Sequence, residues 1–341
     1  MGKASAQGGT WDAIVIGAGL IGLAVARELN GGGLRVLLVE QGEAGREASW
    51  AGAGMLAAEQ IPEPSPLRLL ALASARMYAE YCAQLRAETG QDVEYRQIGT
   101  LAADGTVWPD HCVDNRRLVA ALRTATERRG ITLLEHTAVS AVSPAGGGWC
   151  VRGGEREWVG RQVVNAAGAW AGQIAGAALP VRPRKGQILA VQGPAGLLPR
   201  VRMGEGVYLV PRGDGRIVIG ATMEDVGFSK ALDPRQLAAL HARAVALAPA
   251  IAGLPVVEQW AGLRPGTPDD LPLLGAIAPG LWAAAGHFRD GILLAPVTAK
   301  ILAALLLGVP PDFDLKAFAP LRFGTAPANG APRAGANHGP A

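Results

Sequence analysis

Cysteine is scarce in this sequence, and its scarcity excludes several architectures at once. Only Cys82, Cys112 and Cys150 occur in 341 residues. Three widely separated thiols give neither a disulfide framework nor a CxxC metal or redox site. No metal centre is expected, and a reducing, cytoplasmic compartment is the simplest setting. Charge is also thin, at 18% of residues, and the 32 Lys and Arg against 29 Asp and Glu leave a net charge of only +3. No block of five or six like charges exists to track a polyanion, so no nucleic-acid partner is expected. Long apolar runs are missing too. Ala13 to Ala26 is too short to span a bilayer and carries spaced glycines, while Gly291 to Val309 is interrupted by Pro296 and by Lys300. A lysine at that depth costs about 2.5–3.5 kcal/mol, so the segment reads as a buried core helix rather than a membrane span.

What the chain has in abundance is glycine and aliphatic residues. There are 47 glycines, and hydrophobic residues make up 49% of the chain. A chain of this length usually splits into two cores. Trp11 to Gly17 reads as a buried strand, Leu20 to Asn30 as a helix stopped by three glycines, and Leu34 to Glu40 as a second strand: a βαβ unit. Helices are expected over Pro66–Thr89, Asn115–Arg129 and Asp233–Ala248, and from Ile292 onward. Short meander strands are expected over 139–142, 149–152 and 157–159, followed by a separate apolar strand over 162–165. From Val181 to Gly220, alternating strands divided by turns such as Pro211-Arg212-Gly213-Asp214-Gly215 imply an antiparallel sheet. The fold class is therefore α/β: a Rossmann-type dinucleotide domain with a second, mainly antiparallel substrate domain. The first is assigned residues 11–80, 112–175 and 261–315, the second 81–111 and 176–260. The tails 1–10 and 324–341 are expected to be disordered.

Gly17-Ala18-Gly19-Leu20-Ile21-Gly22 lies between the first strand and the first helix, where a dinucleotide fingerprint must lie. Gly17 allows the tight turn, Gly19 lets backbone approach a pyrophosphate, and Gly22 permits close packing of helix on strand. The helix N-terminus attracts the phosphate charge. Glu40 ends the second strand 18 residues beyond Gly22, near the spacing of an acid that bonds the adenosine ribose. FAD and NAD share this fingerprint, and three further segments favour FAD. Small residues from Ala48 to Met55 allow backbone to lie against a flat ring. Strand 163–165 runs into Ala166-Ala167-Gly168-Ala169-Trp170, a second place of close approach. Gly286-His287-Phe288-Arg289-Asp290-Gly291 precedes the last helix, whose N-terminus can stabilise a reduced, anionic ring.

The segments GAGLIG with Glu40, REASWAGAGML (46–56), VVNAAGAWA (163–171), GVYLVPR (206–212), IGATME (219–224), WAGLRPGTPD (260–269) and GHFRDGILLAP (286–296) resemble the D-amino-acid oxidase superfamily, and within it the glycine oxidases of thiamine biosynthesis. The resemblance covers roughly residues 11–308. It implies that Leu20, Ile21, Glu40, Gln41, Ala48, Ser49, Ala53, Gly54, Met55 and Val139 contact non-covalently bound FAD, and that His287, Phe288, Asp290, Gly291, Ile292 and Leu293 close over the flavin. It implies that Arg264 grips a substrate carboxylate with Tyr208 and Arg289 beside it, and that Met55 and Met223 restrict the space at the α-carbon. A guanidinium suits that task because it offers two parallel donors to a carboxylate. No catalytic base is required, since hydride passes directly to flavin, and His287 reads as structural.

The implied reaction is FAD-dependent oxidation of glycine or a similar small amine to the imine and glyoxylate, with O2 as acceptor and H2O2 released, supplying thiazole assembly. A sarcosine oxidase, a D-amino-acid dehydrogenase serving a quinone, and a flavin-binding subunit without activity remain as alternatives; a homo-oligomer is also compatible. The sequence departs from the family in one place. Only Asp104 to Asp114 joins the strand near Ile98–Ala103 to the helix at Asn115, where the family has several tens of residues.

Overall fold

The computed structural model describes residues 10–324. Apart from Thr10 and Gly324, the two tails expected to be disordered lie outside the described residues.

In chain order the elements are β1 (Trp11–Ile16), α1 (Leu20–Gly31), β2 (Val36–Val39), the single turn α2 (Ala48–Ala51), β3 (Met55–Leu56), α3 (Pro66–Thr89), β4 (Thr100–Ala102), β5 (Val107–Trp108), β6 (His111–Cys112), α4 (Asn115–Arg128), β7 (Thr132–Leu134), β8 (Val139–Ala145), β9 (Gly148–Gly153) and β10 (Arg156–Asn165). The remainder comprises β11 (Arg182–Gln192), β12 (Val201–Gly204), β13 (Val207–Pro211), β14 (Arg216–Gly220), α5 (Pro234–Leu247), β15 (Val256–Gly266), β16 (Leu273–Ala278), β17 (Leu281–Ala285) and α6 (Gly291–Leu306).

Helix boundaries follow from local chemistry. Ser65 caps α3 by accepting from the Leu67 amide, Pro66 supplies a pre-set φ at its first position, and Gly90 ends it in the left-handed region at φ 74°. The carboxylates of Asp114 and Asp233 accept from first-turn amides of α4 and α5. Asp290 stands in the same place before α6, but its side chain caps no amide.

The strands form an α/β architecture with two large sheets. The first runs β16-β17-β10-β1-β2-β7, with β17, β10, β1, β2 and β7 parallel and the β8–β9 ribbon attached to the antiparallel half of β10. The expected break between strands 157–159 and 162–165 is absent: β10 is one strand. Its first half pairs with β9 and its second half with β1 and β17, so the polar interruption at Gly160-Arg161 marks a change of neighbours, not a turn. A Cβ at Gly160 would lie 2.8 Å from Ile14 Cγ1, so glycine is there for packing. Helices α1, α3, α4 and α6 cover one face of this sheet in a single apolar cluster that includes Leu23, Leu29, Tyr78, Leu85, Leu122 and Leu302. Lys300, which argued against a membrane span, is exposed on α6. Among the described residues no helix is long and apolar enough to cross a membrane.

The second sheet runs β15-β11-β14-β13-β12-β4-β5 and is antiparallel except where β12 meets β4. Period-two alternation gives it two distinct faces. Leu189, Val191, Leu209, Ile217 and Ile219 pack under Leu237, Leu240 and Ala244 of α5. Ile188, Ala190, Val210, Val218 and Trp260 point the other way, toward Ala51 and Ala53. The short 104–114 segment supplies β5, which forms an edge hairpin with β4, and then β6, which pairs with β3.

Candidate cofactor and substrate site

A cavity of about 910 Å³ opens between the two sheets. Ligand pockets run to roughly 300–1,000 Å³, so this one has room for far more than a small amino acid. One wall consists of the loops leaving the C-terminal ends of β1, β10 and β17. The chain leaves β1 toward β2 on one side and meets β10 on the other, which makes this crevice the switch point where open α/β sheets bind ligands.

The glycine turn after β1 is shaped by backbone contacts. Gly17 has φ +97°, and a Cβ on Gly22 would lie 1.8 Å from the Gly17 carbonyl oxygen. At Gly19 a Cβ would meet nothing nearer than Ser49 Oγ at 3.4 Å. The protein alone tolerates a side chain there, so the demand for glycine comes from whatever fills the cavity. The amides of Ile21 and Gly22 in the first turn of α1 have no partner among the described residues, and the Leu20 amide donates to Ser49 Oγ at 2.8 Å. Glu40 closes the turn: its carboxylate accepts from the Ala18 amide at 2.8 Å and the Gly42 amide at 2.9 Å. Burial pushes its pKa above the usual carboxylate value and these amides pull it back.

The small-residue loop 48–55 is held from outside by side chains. Asn115 Nδ2 donates to the carbonyls of Ser49 and Trp50, Trp260 Nε1 to that of Ala51, and the buried Arg212 to those of Ala53 and Val113. Arg212 also donates to Asn115 Oδ1 at 2.9 Å. The loop thus turns its carbonyls to the protein and keeps its apolar surface for the cavity.

At the third corner, Phe288 holds a left-handed conformation at φ 46°, a strained choice for an aromatic residue, tied by its amide to the Pro265 carbonyl at 3.0 Å. The amides of Gly291, Ile292 and Leu293 at the start of α6 have no partner among the described residues. His287 is buried, bonded through Nε2 to Thr298 Oγ1, and pushed down to about 3 by burial, so it is neutral in ordinary buffers. Asp290 is pushed up to about 6 by burial, with Arg289 pulling against that rise.

The opposite wall belongs to the antiparallel sheet. Arg264 on β15 lies across β11, and it fits because position 186 is glycine: a Cβ there would sit 2.3 Å from Nη1 and 2.5 Å from Nη2. Arg264 Nη1 donates to the Thr222 carbonyl at 3.2 Å and lies 3.9 Å from Met223 Sδ. Burial lowers its pKa, and the neighbouring Tyr208 opposes this. Tyr208 in turn lies over Gly220, where a Cβ would be 2.2 Å from its hydroxyl; burial raises its pKa, with Arg264 and Arg289 acting the other way. No carboxylate among the described residues comes within ion-pair distance of Arg264 or Arg289. Two cations on one cavity with no carboxylate in ion-pair contact favour an anion there.

Of the residues expected here, Gly19, Leu20, Ile21, Ala48, Ser49, Ala53, Gly54, Met55, Gly168, Tyr208, Met223, Arg264, His287, Phe288, Arg289, Asp290, Gly291 and Ile292 line the cavity. Gly17 and Gly22 lie just behind its wall, and Glu40 is joined to it through Ala18. Gln41 is exposed beyond β2, Leu293 turns its side chain into the helix core, and Val139 packs at the start of β8 on the far face of the first sheet; none of these three reaches the wall. The wall also includes residues not anticipated from the sequence: Gly186, Gly262, Met203 to Val207, Gln236 and Arg243. Glycines inside β11 and β15 are the signal that was available for the first two, since a strand glycine often marks a close approach. Among the described residues no cluster of three or more His, Cys, Asp or Glu could hold a metal ion.

Known proteins share this chain's sequence pattern and fold. A family model described as FAD dependent oxidoreductase matches residues 12–107 and 102–305, its two segments meeting where the chain is short. The chain is 36% identical to a glycine oxidase of Pseudomonas aeruginosa, over 90% of its own length and 98% of that protein's. It is 36% identical to a bifunctional protein ThiO/ThiG of Synechocystis, where it spans 92% of itself but only 54% of the relative. In three dimensions it resembles the crystal structure of glycine oxidase from Geobacillus kaustophilus, with a TM-score of 0.88, 31% identity, and coverage of 92% of this chain and 99% of that one.

Proposed function

The chain belongs to the FAD dependent oxidoreductase family and is an amino acid oxidase of the glycine oxidase type; from that premise we propose that its substrate is glycine and that its product feeds thiazole assembly in thiamine synthesis. The observation that carries this reading is the pairing of Arg264, which has no carboxylate within ion-pair distance and lies over Gly186, with a glycine-turn wall on the other side of the same cavity. In this reading the chain divides into a FAD-binding part (11–80, 112–175, 261–315) and a substrate part (81–111, 176–260), works in the cytoplasm and holds FAD without a covalent bond.

The cavity fits that cofactor. Its size, the open side of Gly19, and the unpartnered amides at the starts of α1 and α6 suit a long dinucleotide with a phosphate-bearing middle and a carbonyl-bearing ring. What bound FAD supplies is two-electron oxidation: hydride leaves the α-carbon of the neutral amine, the imine hydrolyses to glyoxylate, and oxygen takes the electrons as hydrogen peroxide. The protein's own residues do the rest. Gly19, Leu20, Ile21, Ala48, Ser49, Ala53, Gly54 and Gly168 would hold the cofactor, Gly17, Gly22 and Glu40 would shape the turn behind them, and the turn from His287 to Leu293 would lie against it. Arg264, with Tyr208 and Arg289, fixes the substrate carboxylate and so aims the α-carbon. Met55 and Met223 limit the space beyond that carbon, and neutral His287 braces α6 through Thr298.

The reading is tested by a peroxide assay of the purified, FAD-loaded protein against glycine, sarcosine and D-alanine. Glycine is expected to give the highest kcat/KM. A preference for sarcosine or D-alanine replaces the substrate assignment, and yellow protein inert toward all three counts against an oxidase.

A further inference from the structure

Helix α6 carries a proline at its sixth position, and the helix should be weakened there. Pro296 has no amide hydrogen, so the carbonyl of Ile292, four residues earlier, loses the bond that an ordinary helix would give it. A buried carbonyl without a donor is costly. The donor comes from another element: the hydroxyl of Tyr78, fully buried on α3, donates to the Ile292 carbonyl. One turn earlier on α3, Ser74 Oγ donates to the Leu293 carbonyl at 2.6 Å and accepts from the Val297 amide at 3.4 Å. Two hydroxyls at i and i+4 therefore brace consecutive carbonyls in the first turn of α6. On its other side the same turn presents the free amides of Gly291, Ile292 and Leu293, with Gly291 and Ile292 on the cavity wall.

We infer that Ser74 and Tyr78 are positioning residues for the cofactor: Tyr78 supplies the donor that Pro296 lacks, Ser74 bridges the next carbonyl and the Val297 amide, and together they fix the direction in which the free amides of α6 face the cavity. The inference rests on the reading that FAD occupies the cavity. Neither residue touches the cavity, and neither lies in a segment that carries the family resemblance. The ring of Tyr78 has its own packing, stacked near Tyr95 at 6.4 Å and edge-on to Tyr81 at 6.1 Å. Removing the hydroxyl alone therefore leaves the aromatic contacts in place. Burial holds the Tyr78 pKa well above its ordinary value, so the group stays a neutral donor at all working pH.

The experiment uses reconstituted holoprotein and reads the reduction potential of bound FAD by dye equilibration, together with the FAD dissociation constant and Tm. Tyr78→Phe is expected to weaken binding of reduced FAD about tenfold more than that of oxidised FAD. That difference lowers the potential by about 30 mV for a two-electron couple. In a Pro296→Ala background, which restores the missing amide, the same substitution is expected to shift the potential by less than a third as much. A Tyr78→Phe protein with lowered Tm but unchanged potential and FAD affinity would show a purely structural hydroxyl and overturn the inference, as would an undiminished effect in the Pro296→Ala background. Should Tyr78→Phe fail to fold, Ser74→Ala probes the same turn, with the same expected direction and the same overturning result. Wild-type protein that binds no FAD sinks the reading of the cavity itself. FAD bound with a potential indifferent to all these changes sinks only the role of Ser74 and Tyr78.

Discussion

The two walls of the cavity are built on opposite principles. The wall proposed to face the cofactor is made of main chain: three glycine-bearing loops at strand ends, two helix N-termini with free amides, and the loop 48–55 whose carbonyls are tied elsewhere. The wall proposed to face the substrate is made of a few long side chains, Arg264, Tyr208 and Met223, with strand glycines leaving room for Arg264 and Tyr208. A backbone wall tolerates no added atoms where main chain meets main chain, as at Gly17 and Gly22, but little depends on any one side chain. A side-chain wall keeps its fold when a residue is lost, and loses its chemistry instead.

This contrast sets the order of expected effects. Gly22→Ala places a methyl 1.8 Å from a backbone oxygen that cannot move aside. It is expected to abolish FAD retention and lower stability by roughly 1–3 kcal/mol, checked by the flavin-to-protein absorbance ratio and Tm. A yellow, stable Gly22→Ala protein would mean that the turn is not what the cofactor wall rests on. Next comes Arg264→Ala, expected to keep FAD and raise the glycine KM roughly a hundredfold or more, given ~1.5–3 kcal/mol for each charged hydrogen bond. An unchanged KM would break the assignment of that wall to the substrate. Gly186→Ala sharpens the comparison, because the clash at 2.3 Å is with the mobile end of a side chain. The expected result is full FAD content with KM up roughly tenfold, about 1.4 kcal/mol. If FAD is lost as well, the two walls are not separable.

The smallest effect concerns Asp290. Its folded pKa of about 6 lies above its unfolded value, so its contribution is most favourable at low pH and is lost as pH rises through 6. Asp290→Asn is therefore expected to stabilise the protein above pH 6, on the order of 1–2 kcal/mol because the side chain is only half-buried, and to match wild type near pH 4. Thermal melts across pH 4–8 measure it, and a gain confined to acid pH would have the wrong sign.

The same contrast explains what the sequence disclosed. GAGLIG and Glu40 were legible because backbone constraint leaves a written trace: only glycine survives at φ +97° or 1.8 Å from a carbonyl. The helices were legible because their apolar residues recur at helical spacing and glycines such as Gly31 and Gly130 stop them. The unity of β10 was hidden, since half its polar pattern comes from β9, a neighbour that sequence order does not weight. Strand β16 went unread, lying as six residues between a turn and β17. On the substrate wall, Arg264 and Tyr208 stood out only through the family resemblance; their meeting over Gly186 and Gly220 depends on the register of β11 with β15 and of β13 with β14. Gln236 and Arg243 reach the cavity from α5, and nothing in their local pattern distinguishes them from surface residues.

The central claim is that one cavity holds a flavin against the glycine turn and an amino-acid carboxylate against Arg264. Anaerobic addition of glycine to the FAD-loaded protein, followed by visible absorbance, tests it most directly. The account predicts that the oxidised flavin band bleaches with wild type and persists with Arg264→Ala at the same glycine concentration. Equal bleaching of both proteins, or of neither, would contradict it.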